Sequence, residues 1–311
     1  MDPEAYEAIV KELDKLRPDE ELGMLDLAHL AAVCGTSAET IKALHGQYFR
    51  QKHGFRHAQL LDNIDEVGAL FGRWCARREG DSIVDLAIEK DLAIGLMARV
   101  LLSAFYATRD KVESGSDPAS AALALGRDDV SKRHSKIVTR AMERPHDVGL
   151  PPWIADQVAD AVGIAGHYAP VSGVIRRIAG VEYEHVLQEH VANAGLSYVS
   201  EKKLTELGQS ITPDMRLDVP ILVVHAGEHK IINWIESKAS FGDPSTIKHD
   251  SAQFVRYRER AGPGLVIYWF GIVACSLVVE LAQEGVLLMD GFPPHDHIVQ
   301  IDPSAGSSSQ R

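Results

Sequence analysis

The stretch Arg144–Trp153, RPHDVGLPPW, holds three prolines and a glycine in ten residues. Proline removes a backbone donor and glycine favours tight turns, so neither a helix nor a central strand runs through such a segment. Before it, apolar residues recur at three- and four-residue spacing; after it, short apolar runs and alternating patterns appear. The chain is expected to divide there, into a helical region over 1–146 and an α/β region over 147–302. A polar tail from Pro303, PSAGSSSQR, has the composition of a disordered end.

Two segments of the helical region share a pattern, Leu25–Phe49 and Ser82–Tyr106. Each reads as an apolar helix containing Leu-Ala, a turn, and a second amphipathic helix, the layout of a helix-turn-helix unit. Helical hairpins that only pack give the same pattern, and both readings stay open. Beyond the break, helices are expected at about 153–165 and 181–193, with a short strand at 196–199. Longer strands follow at 217–224, 230–239 and 265–270, the first two joined by the turn His225–His229, HAGEH. A helix over about 244–260 separates the last two, giving an α-β-β-β-α-β order. The apolar run Leu265–Val279 is shorter than the roughly 20 residues a bilayer needs and reads as a central strand and its continuation, with Cys275–Glu284 as a loop.

Composition excludes several classes. With 45% apolar and 24% charged residues the chain is expected to be an ordinary globular protein rather than a membrane one. Cys34, Cys75 and Cys275 form no CxxC pair, so a cysteine zinc site and a disulfide framework are not expected, and a reducing intracellular compartment is. The start MDPEAYEAIVKELDK is acidic and amphipathic, unlike a secretory or transit peptide. The net charge is −12 and both halves are acidic, so bulk charge gives nucleic acid no nonspecific hold. Local basic stretches are candidates: Lys42–His57, Lys132–Arg144, and Arg256, Arg258 and Arg260. Solvated helix faces would look the same.

The chemistry concentrates in Asn233–Asp243, NWIESKASFGD, where Glu236 and Lys238 stand two residues apart after an apolar run. In a strand they point to one face, and charges are rarely buried there unless paired or bound to metal. Upstream, Thr212-Pro213-Asp214 precedes the first hairpin strand. Asp214 lies thirteen residues before the turn at Gly227 and Glu236 nine after it, so a bend or bulge must absorb the difference if the two are to meet. Glu184 sits on the preceding helix, and Gln253 and Tyr257, four apart, share a face of the following one. Each residue alone has an ordinary reading: a turn cap for Asp214, a half-exposed ion pair for Glu236 and Lys238, solvent-facing helix positions for Glu184 and Gln253.

Taken together, Asp214, then Glu236-x-Lys238, with Glu184 before and Gln253-x-x-x-Tyr257 after, resemble the PD-(D/E)XK nuclease motif with its QxxxY element. The sequences TPD, NWIESKASFGD, Gly262–Trp269 (GPGLVIYW) and VEYEHVL are similar to the codanin-interacting nuclease family, with Asn233 where that family has His. The resemblance implies a restriction-endonuclease-like α/β domain with a mixed central sheet behind a helical helix-turn-helix region. It implies a metal-dependent phosphodiesterase acting on nucleic acid, DNA favoured, in the nucleus and cytoplasm, with a codanin-like partner. Asp214, Glu236, the Ser237 carbonyl and Glu184 would hold Mg²⁺, or Mn²⁺ in its stead, through hard oxygen donors. Lys238 would orient or deprotonate the attacking water, held by Gln253 and Tyr257. A scaffold that keeps the fold without cleavage is the alternative, and a homodimer is left open. Glu182-x-x-His185 lacks a second copy, His295-Asp296-His297 reads as a surface turn, and no phosphate-cradling glycine loop occurs.

Overall fold

A computed structural model of the 311-residue chain describes residues 1–17, 23–117, 121 and 124–300. The tail expected from Pro303 lies outside the described residues. The fold is mixed α/β, helical at first and then built on a mixed sheet. Contacts divide it into two compact units, one comprising Met1–Ile9, Ala28–Leu44 and Arg176–Arg311, the other Val10–Leu27 and His45–Ile175.

The second unit is helical. Its core joins Val67, Leu70 and Trp74 of the helix Ile64–Ala76 to Ile83 and Leu86 of Ile83–Glu89 and to Met97, Leu101 and Tyr106 of Ile94–Glu113. A capping box starts the helix at Ile83: the Ser82 hydroxyl accepts from Asp85 N–H, and the Asp85 carboxylate accepts from Ser82 N–H. The one polar atom on buried Trp74, its indole N–H, donates to Gln157 at 2.7 Å. Two of the basic residues singled out in the sequence are neutralised in this unit, Lys52 by Asp14 and Arg56 by Asp91. Among the described residues no single helix is long and apolar enough to cross a membrane.

The other unit is the sheet. Its strands are β1 (Tyr198–Ser200), β2 (Met215–His225), β3 (Glu228–Lys238), β4 (Gly264–Tyr268), β5 (Val286–Met289) and β6 (Ile298–Gln300), in the order β1-β2-β3-β4-β5, with β6 on the far end of β2. β1, β2 and β3 are antiparallel neighbours, and β3, β4 and β5 are parallel. The helix Pro244–Ala261 supplies the crossover from β3 to β4. The α-β-β-β-α-β order read from the sequence is present.

Alternation along β3 and β4 sets the two cores. Ile235, Leu265 and Ile267 pack with Leu187 and Val191 of the helix Pro170–Asn193, while Trp234, Val266 and Tyr268 pack with Ile247, Phe254 and Tyr257 of Pro244–Ala261. A strand buried on both faces has no polar alternation, which is why GLVIY reads as an unbroken apolar run. Trp234 lies so close over β4 that a Cβ on Gly264 would fall 2.0 Å from its ring. Its indole N–H is satisfied by the Gly262 carbonyl at 2.8 Å.

The hairpin turns at Ala226-Gly227, both with positive φ (50° and 79°), the backbone a two-residue turn needs to match strand twist. The expected irregularity is found farther down. Between the pairs Ile221↔Ile232 and Arg216↔Trp234, β2 advances five residues and β3 two. Residues 217–220 in between end in Pro220, which has no N–H to give a ladder, and Asp218 N–H turns to Ser197 of the β1 side.

Four boundaries differ from the sequence reading. The helix expected at 181–193 begins at Pro170, its period masked by Gly173 and Gly180. The run Leu265–Val279 is not one strand. β4 stops at Tyr268, Gly271 takes φ 104°, and Ser276–Gln283 forms a helix where a loop was expected. The adjacent valines of SLVVELAQ hide a helix that buries Leu281 and exposes Val279. The last two strands, of four and three residues, are too short to carry a pattern.

Candidate active site

The register shift in β2 delivers Asp214 to the rim of the sheet. Met215 pairs with Ile235, so Asp214 arrives opposite Glu236. The backbone binds the two acids crosswise: Asp214 N–H donates to Glu236 Oε2 at 3.1 Å, and Ser237 N–H donates to Asp214 Oδ2 at 2.7 Å. Each carboxylate is thereby fixed by the peptide next to the other. Oδ1 of Asp214 has no hydrogen-bond partner among the described residues, and Asp214 keeps part of its surface at solvent.

Lys238 follows on the face of Glu236. Its ammonium donates to Glu236 Oε1 at 2.9 Å and to Gln253 Oε1 at 3.1 Å, and lies 5.6 Å from the centre of the Phe254 ring. Gln253 Nε2 donates to Glu236 Oε1 at 3.4 Å and to the Tyr257 oxygen. Both residues ride on the Pro244–Ala261 helix, which starts where Asp243, 2% exposed, caps it by accepting from Thr246 N–H at 2.8 Å. The motif NWIESKASFGD thus encodes a reactive strand end and the cap of the helix that braces it.

Burial governs the electrostatics. Glu236 is 4% exposed, and loss of water raises its pKa even though Lys238 and the Asp214 N–H pull the other way. Asp214 is pushed well above the usual carboxylate range, first by burial and then by the charge of Glu236. Two close, desolvated acids resist ionising together, and the pair holds a proton at pH values where an exposed carboxylate has lost it. Burial works against the Lys238 charge as well, but Glu236 outweighs it and keeps the ammonium protonated. Tyr257 is raised by burial and then by Glu236, so its phenol stays neutral.

Asp214, Glu236, Ser237, Lys238, Gln253 and Tyr257 therefore form one hydrogen-bonded network. Glu184 does not join it by a direct bond. It is exposed on its helix, its pKa is raised by burial and by Glu201, and its charge reaches Asp214. Among the described residues no three His, Cys, Asp or Glu side chains gather as a metal cluster. The acidic core is a pair, with backbone oxygen nearby. Such a pair, mutually repelled and with a carboxylate oxygen to spare, fits a hard divalent cation that completes its shell with water.

One residue of this neighbourhood carries no motif. Glu201 N–H donates to the Asp214 carbonyl at 2.9 Å, its carboxylate faces the Thr212 hydroxyl at 3.5 Å, and its charge acts on Glu184, Glu236 and Tyr257. In sequence Ser200-Glu201 looks like any helix start, a cap followed by a first-turn acid. A cleft of about 520 Å³ opens on this side, lined by Glu201, Thr212, Asp250, Gln253, Arg256 and Tyr257 among others. Of the three arginines noted in the sequence, Arg256 reaches the cleft, whereas Arg258 is drawn to the Glu284 carbonyl and Glu259.

Residues 152–292 match the family described as "Protein of unknown function TPD sequence-motif". The chain is similar to the CDAN1-interacting nuclease 1 of Danio rerio, 32% identical over 297 residues that cover 93% of this chain and 88% of the relative. It is similar to the Xenopus laevis protein of that name, 34% identical over 68% of this chain and 61% of the relative, and to that of Homo sapiens, 33% identical over 68% and 66%. No solved structure matches the chain.

Proposed function

Because this chain belongs to the CDAN1-interacting nuclease family, we propose that it is a metal-dependent nuclease hydrolysing the phosphodiester bonds of nucleic acid, DNA favoured, at Asp214, Glu236 and Lys238. The observation that carries this reading is the crosswise binding of Asp214 and Glu236 with a protonated lysine 2.9 Å from the second acid. Hydrolysis of a phosphodiester needs a positioned water, relief of charge on the phosphate and help for the leaving alkoxide.

Mg²⁺, or Mn²⁺ in its place, would be held by Asp214, Glu236 and the Ser237 carbonyl, with Glu184 at longer reach. When bound, such an ion neutralises phosphate charge and lowers the pKa of water. The remaining roles belong to side chains. Two of the three Lys238 N–H donors go to Glu236 and Gln253; the third is offered to the attacking water or a phosphate oxygen. A lysine held protonated acts as a donor and a positive charge, so it orients the water and stabilises the anionic transition state rather than removing a proton. Gln253 fixes the lysine from one side and is itself fixed by Tyr257.

The relatives' name also states an interaction with CDAN1, and a codanin-like protein is the partner proposed for this chain. The test is cleavage of labelled DNA and RNA structures with Mg²⁺ or Mn²⁺ by the wild type, Glu236→Ala and Lys238→Ala. Metal-dependent cleavage lost in both folded variants is the expected result. Cleavage that survives either substitution removes the site assignment, and a folded wild type that cuts nothing returns the protein to the scaffold reading.

A further inference from the structure

Resting on the nuclease reading, we propose that Tyr183, Trp269 and Phe270 form a stacking platform for unpaired bases, so that the substrate is single-stranded or locally unpaired nucleic acid. The platform adjoins the acidic pair. Trp269 follows β4, its backbone N–H donates to the Lys238 carbonyl at 3.1 Å, and its indole N–H donates to the Ser237 hydroxyl at 2.8 Å. Ser237 is the residue whose N–H holds Asp214. Tyr183 precedes Glu184 and sets its ring 5.5 Å from Trp269 and 5.1 Å from Phe270. His190, two helical turns on, stacks 5.9 Å from Trp269 and 5.2 Å from Phe292.

Rings that serve only to fill a core are buried. Leu187 and Val191 of the same helix are fully so. Tyr183, Trp269, Phe270 and Phe292 are half-buried and His190 is exposed, which leaves a continuous aromatic surface in water. Every base has a π-face, so such a surface takes bases without regard to sequence.

Charge selects the strandedness. Glu182, Glu184 and Glu189 stand exposed on the helix that carries Tyr183 and His190. A duplex brings one phosphate per roughly 1.7 Å of axis, and these carboxylates repel it. A single strand with its bases turned to the rings carries its phosphates outward. Arg176, seven residues before Tyr183 and so on the same helix face about 10 Å away, is exposed and supplies a cation for one of them.

The test measures binding of fluorescein-labelled dT15, rU15 and a blunt 15-base-pair duplex to the full chain in EDTA, with substrate integrity checked on a gel. The single strands are expected to bind at least tenfold more tightly than the duplex. Tyr183→Ala and Phe270→Ala are each expected to weaken them by roughly five- to hundred-fold, with Tyr183→Phe close to wild type. Should Phe270→Ala unfold, the Tyr183 substitutions decide alone. Equal binding of duplex and single strands, single-strand affinity within twofold of wild type in a folded Tyr183→Ala, or no binding at micromolar protein overturns the platform. The nuclease reading is judged separately by cleavage that depends on Glu236. Cleavage without single-strand preference removes the platform alone, and ring-dependent binding without cleavage removes the nuclease alone.

Discussion

Asp214 and Glu236 hold each other through the main chain: the N–H of the first is bound by the carboxylate of the second, and the carboxylate of the first by the N–H that follows the second. Neither acid can be moved without loosening the other. The pair is a structural unit before it is a chemical one.

Asp214→Asn tests the electrostatic cost of that unit. The folded-state pKa of Asp214 is raised, by burial and then by Glu236, so the folded chain binds more protons than the unfolded one above the ordinary carboxylate range near about pH 4. Stability therefore falls as pH climbs from there through the raised folded value. The asparagine variant, which keeps an oxygen for Ser237 N–H, is expected to melt higher than wild type at pH 8 and to lose the advantage near pH 4. Identical melting curves at pH 8 would contradict the raised pKa.

Mg²⁺ binding gives a readout that needs no activity. Millimolar Mg²⁺ is expected to raise the wild-type melting temperature at pH 8, because the ion favours the doubly ionised pair. Glu236→Gln should abolish the increment. An increment that persists in this variant places the ion elsewhere.

Lys238→Met leaves a 4% exposed carboxylate without its cation. The loss is expected to be about 1–3 kcal/mol, larger at pH 8, where Glu236 must carry charge, than at pH 5, where it takes up a proton. A chemical denaturation series at the two pH values measures it, and a loss independent of pH would mean that packing rather than charge was removed.

Gly264→Ala drives a Cβ into the Trp234 ring, 2.0 Å away. The ring is wedged in the core, so the expected loss is about 3 kcal/mol, whereas Gly291→Ala, which meets nothing within 4 Å, should be close to neutral. Equal melting temperatures for the two variants would refute the close approach.

Ala226→Gly removes a side chain from a residue at φ 50°. Relief of that left-handed strain is expected to stabilise the hairpin by roughly 0.5–1 kcal/mol. A destabilised variant would show that the turn tolerates alanine.

The reactive strand end was legible because its chemistry is spelled in contiguous residues. Glu236 and Lys238 share a face by strand period alone, and the shortfall between thirteen and nine residues around Gly227 demanded the irregularity that β2 contains. Gln253 and Tyr257 were legible as an i,i+4 pair on a helix whose cap, Asp243, lies inside the same motif. Glu201 was not, since its approach to Asp214 depends on how β1 and a six-residue helix fold back, and a first-turn acid is commonplace. The helix at Ser276–Gln283 was lost to composition, as adjacent valines imitate a strand until packing selects the turn.

The slack in β2 separates two design problems along a single hairpin. A strand slipped by one residue turns every side chain to the opposite face, so a rigid ladder would tie the orientation of Asp214 to the length of the turn. With residues 217–220 free of the β3 ladder, the tip at Ala226-Gly227 can change length over generations while the rim keeps its alignment. Shortening those four residues, by contrast, would swing the acid away from its counterpart at once.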